Sequence, residues 1–143
     1  LYVPSEPSPQ YQISVSNAVN AYLNAGVPSS KLVLGMPFYG NKYTVTSSVN
    51  NGLFSPFTAC TSITYDQVAA GYIGQPSYQQ FFHSTARVPY IFGNNTFISF
   101  ENAQSIQEKV QLANARGLRG VGAWELSQDK NAVLLSAAYG ALN

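Results

Sequence analysis

Lys31-Leu32-Val33-Leu34-Gly35-Met36-Pro37-Phe38-Tyr39-Gly40 is the stretch on which the architecture turns. Residues 32–36 are continuously apolar and do not alternate, the pattern of a strand buried on both faces in a parallel sheet covered by helices. Pro37 has no N–H to give to a ladder, so the regular strand is expected to end near it. Residues 38–41 then fall at the C-terminal mouth of the sheet, where ligands of α/β proteins gather.

Upstream, residues 1–12 hold Pro4, Pro7 and Pro9 with little periodicity and read as a loop. An amphipathic helix follows, with Val15, Ala18, Val19, Tyr22 and Leu23 on one face. Ser14 or Ser16 is placed to cap it, and Gly26 to stop it. Downstream, from about residue 43 to residue 99, the chain turns rich in Ser, Thr, Asn, Gly and aromatics. Asn50-Asn51-Gly52 and Gly93-Asn94-Asn95 are turn signals. The second predicts an antiparallel hairpin between residues 88–92 and 96–100, with a three-residue loop. Residues 64–70 read as a short helix. Helical grammar returns after residue 101, with Ala103, Ile106, Val110 and Ala113 on one face and Gly117 as the stop. Residues 119–124 read as a second short buried strand, and Asp129 caps a last helix carrying Val133, Leu134, Ala137 and Ala138.

Two parallel strands with flanking helices do not complete a sheet, because each keeps unpaired edges. The chain has 143 residues, whereas a (β/α) barrel needs about 250. The simplest expectation is therefore the last part of such a barrel, carrying an inserted α+β module. The chain opens on Leu1 without a charged-then-apolar leader, as expected of a processed product or a piece of something longer.

Composition bounds the partners. Charged residues are 9% and net charge is +1, which argues against a nucleic-acid partner needing a basic stripe. Ser, Thr, Asn and Gln must then keep the surface soluble, a common property of secreted proteins. No apolar run approaches the roughly 20 residues of a membrane span. A single cysteine, Cys60, excludes an internal disulfide framework, and a single histidine, His83, leaves no His-based metal site. No metal or organic cofactor is implied. Cys60 is expected to be buried or to pair outside the chain.

The segment 31–40, together with Val88-Pro89-Tyr90-Ile91-Phe92 and Gly117-Leu118-Arg119-Gly120-Val121-Gly122-Ala123-Trp124-Glu125, resembles the C-terminal part of the family-eighteen glycoside hydrolases, the chitinases. The resemblance keeps the order and approximate spacing of three motifs over nearly the whole chain. It implies an α/β fold, the C-terminal part of a TIM (β/α)8 barrel. Residues 1–42 would be a barrel segment ending in strand seven, 43–99 the insertion domain that walls the substrate cleft, and 100–143 a barrel segment with strand eight. The family's Asp-x-x-Asp-x-Asp-x-Glu run, which holds the proton donor, and its Met-x-Tyr-Asp run do not occur here; Asp66 and Asp129 are the only aspartates. The resemblance therefore implies a portion that supplies cleft wall and floor to a secreted enzyme acting on β-1,4-linked N-acetylglucosamine. The substrate's own N-acetyl group would attack the anomeric carbon, an exception to the two-carboxylate scheme. The chain alone is expected to be inactive. Its implied partners are chitin or N-acetylglucosamine oligomers and the N-terminal barrel polypeptide, or a second copy if it stands isolated. An acid-less, chitin-binding lectin and an isolated structural fragment are the alternative readings.

The same resemblance makes Trp124 the floor under the reacting sugar, where an indole face stacks on a pyranose. It makes Tyr39 a substrate contact, and puts Asn41 where many members carry an arginine, losing charge and reach. Tyr65, Asp66 and Gln67 match a stretch that reaches sugars further from the cleavage point; a capped surface helix is the competing reading. Phe97 stands where some members have tryptophan. Glu125 is placed outside the acid's role. Asn94-Asn95-Thr96 is an Asn-x-Thr acceptor at a hairpin tip, a candidate glycan site at Asn94 if the source is a secreted eukaryotic protein.

Overall fold

A computed structural model describes residues 1–4 and 13–142; the rest of the N-terminal loop, 5–12, and Asn143 lie outside the described residues. Helix α1 (Val15–Asn24) starts on Ser14, whose Oγ accepts from the N–H of Asn17, and stops at Gly26 in the left-handed region. Strand β1 (Val33–Pro37) leads into β2 (Tyr39–Val45). There follow β3 (Phe57–Thr64), α2 (Tyr65–Gly71), β4 (Gln79–His83), β5 (Val88–Gly93) and β6 (Thr96–Ser99). The chain closes with α3 (Ala103–Ala115), β7 (Gly120–Trp124) and α4 (Val133–Leu142).

The strands form two sheets. β1 and β7 pair in parallel, from Val33↔Gly120 to Pro37↔Trp124. The other five form an antiparallel sheet in the order β3-β2-β6-β5-β4. This α/β arrangement, a parallel pair beside an antiparallel sheet, fits a barrel part and an inserted module. Antiparallel pairing already begins at Tyr39↔Thr64, before residue 43.

Three expectations need correction. Gly93 pairs with Thr96, so the β5–β6 loop has two residues, not three. Asn94 and Asn95 both lie at positive φ, as a type I′ turn requires, and its twist matches that of the flanking strands. The apolar run 32–36 is not buried on both faces: Met36 is 2% exposed but Val33 is 58% exposed. β1 has β7 on one edge and an open groove on the other, between it and the Val15, Ala18, Val19 and Tyr22 face of α1. Cys60, on the edge strand β3, is exposed and not buried, which leaves pairing outside the chain as the reading that stands.

One core joins the two sheets. Ile91 and Ile98, from the antiparallel sheet, pack with Val68 of α2, Met36 of β1, Phe38, Ile106 and Val110 of α3 and Leu134 of α4. On the other face of that sheet, one ring from each strand forms a continuous row. Phe81, Tyr90, Phe97, Tyr43 and Phe57 follow one another at centroid spacings of 4.9, 5.2, 6.2 and 5.0 Å. Under α3, the buried Lys109 ammonium pairs with Glu101, whose other oxygen accepts the Ser105 hydroxyl at 2.6 Å. Of the candidate structural residues, His83 is buried and its Nδ1 accepts the N–H of Ala86 at 3.1 Å.

Candidate functional site

Parallel pairing puts the C-terminal ends of β1 and β7 at the same place, so Pro37 faces Trp124 at the last rung. One residue on, Phe38 turns its side chain fully into the core while its backbone links three elements. Its N–H donates to the Trp124 carbonyl at 2.8 Å, and its carbonyl accepts the N–H of Tyr65 at 3.0 Å. The next residue, Tyr39, opens β2 opposite Thr64, the cap of α2. β7, β2 and the α2 N-terminus are thus fastened around one buried phenylalanine.

Trp124 is 70% exposed, the most open large ring but one among those exposed in the described residues. A strand-end indole in that state is a free stacking face for a ligand with an apolar side. Tyr39 is on the same end and partly exposed, and Asn41, two residues along the same face of β2, is exposed. Its Cα partners, Ser62 and Ser99, continue a neutral polar band.

The three residues at the head of α2 have separate placements. Tyr65 is buried; burial first, then the carboxylates of Asp129 and Asp66, push its hydroxyl up from its ordinary pKa, so it stays a protonated donor. Asp66 Oδ1 accepts the N–H of Lys130 at 3.0 Å, tying α2 to the loop that follows Trp124. Gln67 completes a capping box: its Oε1 accepts the Thr64 N–H while Thr64 Oγ1 accepts the Gln67 N–H. Asp129 caps α4 with both oxygens, on Val133 and Leu135. Glu125 is exposed and accepts the Ser127 hydroxyl at 2.7 Å.

The fold therefore gathers Tyr39, Tyr65, Asp66, Gln67 and Trp124 at one end of the molecule, with Asn41 beside them. Asn94 is exposed at the opposite end of β2, where the Asn95 carbonyl accepts the Val45 N–H. Sequence reasoning missed Phe38 as the hub; its signal was its place between the chain-breaking Pro37 and the exposed Tyr39. It also missed Lys42, whose Nζ lies 6.0 Å from the Tyr72 ring centroid on the core-facing side of the sheet. Among the described residues no group of three His, Cys, Asp or Glu side chains could hold a metal ion, and no helix is long and apolar enough to cross a membrane.

Comparison with known proteins gives this geometry a context. Chitinase A1 of Niallia circulans is 35% identical over 131 residues, covering 85% of this chain and 19% of its own. Chitotriosidase-1 of Mus musculus is 35% identical over 120 residues, covering 81% and 26%. The chain thus spans well under two-thirds of the curated relatives it matches. Among solved structures, a family 18 N-acetylglucosaminidase from Paenibacillus barengoltzii superposes with a TM-score of 0.90 at 34% identity, over 99% of this chain and 42% of that one. A class V chitinase from Nicotiana tobaccum, solved in complex with NAG4, gives 0.87 at 30% identity over 95% and 41%. A chitinase-like agglutinin from Robinia pseudoacacia gives 0.79 at 34% identity over 99% and 42%. The family profile described as glycosyl hydrolases family 18 matches residues 1–129. With a parallel strand pair ending in an exposed indole, an antiparallel sheet beside it and that match over most of its length, the chain belongs to glycosyl hydrolases family 18.

Proposed function

We propose that the chain is the C-terminal portion of a secreted chitinase that hydrolyses β-1,4 linkages between N-acetylglucosamine units. Trp124 forms the floor beneath the reacting sugar, and the β2–α2 face forms a wall. Tyr39 and Asn41 offer hydrogen bonds from that wall, and Tyr65, Asp66 and Gln67 shape its base. The proton donor lies in polypeptide outside this chain, which supplies the remaining barrel strands. The observation that carries this reading is the 70%-exposed indole of Trp124 at the C-terminal end of a parallel strand pair. An aromatic ring there, with the Tyr39 hydroxyl and the Asn41 amide on the neighbouring strand, suits an uncharged pyranose with one apolar face. Asn94 is exposed, and in a secreted eukaryotic source it is open to a glycan.

The test uses the full-length protein and N-acetylglucosamine oligomers, with products followed by chromatography. Hydrolysis by the full-length protein, none by residues 1–143 alone, and its loss in Trp124→Ala are the expected results. Turnover by residues 1–143 alone would overturn the placement of the proton donor. Full activity in Trp124→Ala would remove that residue from the site. The second reading, a chitin-binding lectin with the same cleft, is favoured by the likeness to the Robinia pseudoacacia agglutinin. Oligomer binding without any hydrolysis by the full-length protein would select it.

A further inference from the structure

Among the described residues β3 is an end strand of the five-stranded sheet, and residues 57–62 are all exposed. The hydrogen bonds around it show which backbone groups its open edge carries. Tyr65, one residue beyond the strand, donates its N–H to the Phe38 carbonyl across the β2–β3 ladder. Thr64 turns its N–H the other way, to Gln67 Oε1. Antiparallel bonding alternates from residue to residue, so Ile63 and Thr61 bond to β2, while Ser62 and Cys60 turn their N–H and C=O to the open side. The far side of β2 agrees. Val45 donates to the Asn95 carbonyl, so Tyr43 and Asn41, opposite Cys60 and Ser62, bond towards β6. A register shift then sets Thr44 opposite Ala59 but Val45 opposite Phe57, leaving Thr58 as the extra residue of a bulge that ends the regular edge.

This edge lacks the usual guards. No charged residue and no proline lies within Phe57–Thr64, and an unpaired, uncharged edge is a template for another strand. Ala59, Cys60, Thr61 and Ser62 are too small to frame the side-chain pockets by which a sheet edge selects a foreign peptide. The backbone row is instead complementary to itself. About a two-fold axis at Thr61, Cys60 of each copy faces Ser62 of the other. Both rungs then exchange a pair of N–H···O=C bonds, and the free groups of both residues are used. The two Thr61 side chains meet between those rungs, a favourable cross-strand pair. The net charge of +1 on this chain puts little repulsion between copies. The contact closes at two copies, whereas β3 against β4 of the next copy would run on as a filament.

We propose that residues 59–63 of β3 are a self-association surface, taken by the same segment of a second copy in antiparallel pairing, so that two five-stranded sheets become one continuous sheet. The two Cys60 Cα atoms stay about 7–8 Å apart on the diagonal, beyond the range of a disulfide. The edge makes the contact and the thiol does not.

The experiment follows the mass of the full-length protein by analytical ultracentrifugation from about 1 to 100 μM, with reductant present. It compares wild type with Cys60→Ser, Cys60→Pro and Thr61→Lys. Cys60→Pro removes one edge donor at a position whose N–H faces outward, the setting in which an edge strand tolerates proline. Thr61→Lys sets two ammonium groups against each other at the axis, and it stays informative if the proline disturbs the strand. The expected result is a dimer whose fraction rises with concentration in wild type and in Cys60→Ser. Association should be at least roughly tenfold weaker in Cys60→Pro and in Thr61→Lys, with the melting temperature of monomeric Thr61→Lys unchanged. A wild type that stays monomeric throughout would overturn the proposal, as would a dimer that both blocking variants leave intact. A dimer that reductant or Cys60→Ser abolishes would overturn it too, since the thiol would then be the link.

Discussion

The N–H of Phe38 donates to the carbonyl of Trp124 at 2.8 Å, one residue beyond the last paired rung of β1 and β7. That bond fixes where the parallel pair ends and where β2 starts. The backbone holding Trp124 is therefore set by buried chemistry, while its ring is left to the outside.

Trp124→Ala separates those two roles. In the full-length protein, loss of the exposed ring is expected to cost about 2 kcal/mol or more in oligomer binding or in kcat/KM. Thermal unfolding should move little, because the ring contributes little buried area. Parallel kinetic and calorimetric measurements on the same preparation check both halves.

Gly40 lies between two proposed sugar contacts and has no room for a side chain. A Cβ there would stand 2.3 Å from the Ser99 carbonyl oxygen and 2.9 Å from the Phe100 Cβ. Gly40→Ala must push β6 away from β2 and is expected to destabilise by about 1–3 kcal/mol, as overpacking does. Urea titration gives the loss, and weaker oligomer binding should accompany it because Tyr39 and Asn41 move with the strand.

Lys109 and Glu101 are 3% and 7% exposed and satisfy one another. Lys109→Met strands a buried carboxylate and should cost about 3–5 kcal/mol. Adding Glu101→Leu removes the stranded charge, so the double variant should recover much of that loss. A double-mutant cycle by chemical denaturation reads the difference.

The Arg87 guanidinium grips both oxygens of Glu108 and stacks over Phe82, 4.9 Å from its ring centroid. Its hydrogen bonds hold the Glu108 carboxyl below its ordinary pKa. A carboxylate so depressed adds stability that is present above the unfolded value, roughly 4.3, and is lost as pH falls through the folded value. Arg87→Met should therefore lower the neutral plateau and flatten the acid limb, the variant and wild-type curves converging as pH falls through the folded value. Denaturation midpoints from pH 7 down into the acid range decide it.

Thr64→Ala removes half of the capping box at the head of α2 and should lower stability by about 1 kcal/mol. Thr64→Ser, which keeps the hydroxyl, should lose much less. Circular dichroism during urea unfolding checks both.

What could be read from the sequence followed local rules. Gly26 and Gly117 stop their helices in the left-handed region as their positions suggested, and Ser14 and Asp129 cap where expected. The apolar runs already suggested that β1 and β7 are parallel barrel strands, and the resemblance identified them as the seventh and eighth. Long-range sheet register stayed out of reach, because it joins residues far apart in the chain. The Thr58 bulge leaves no mark in residue type, and so the row of rings that ends at Phe57 was invisible before the fold was known. The exposure of Val33 depends on what packs over its face of β1, a property of the tertiary structure and not of the apolar run itself.

β2 and β6 are the first and last strands of the antiparallel sheet, and they are also hydrogen-bonded neighbours, Asn41 against Ser99. The polypeptide accordingly enters and leaves the module through a single doorway. Loops within it can lengthen or shorten without pulling on the Val33–Gly120 to Pro37–Trp124 rungs, since insertions are best tolerated where their ends lie close together. On the proposed reading, the module can then change its loops while the Trp124 end of the parallel pair stays in place.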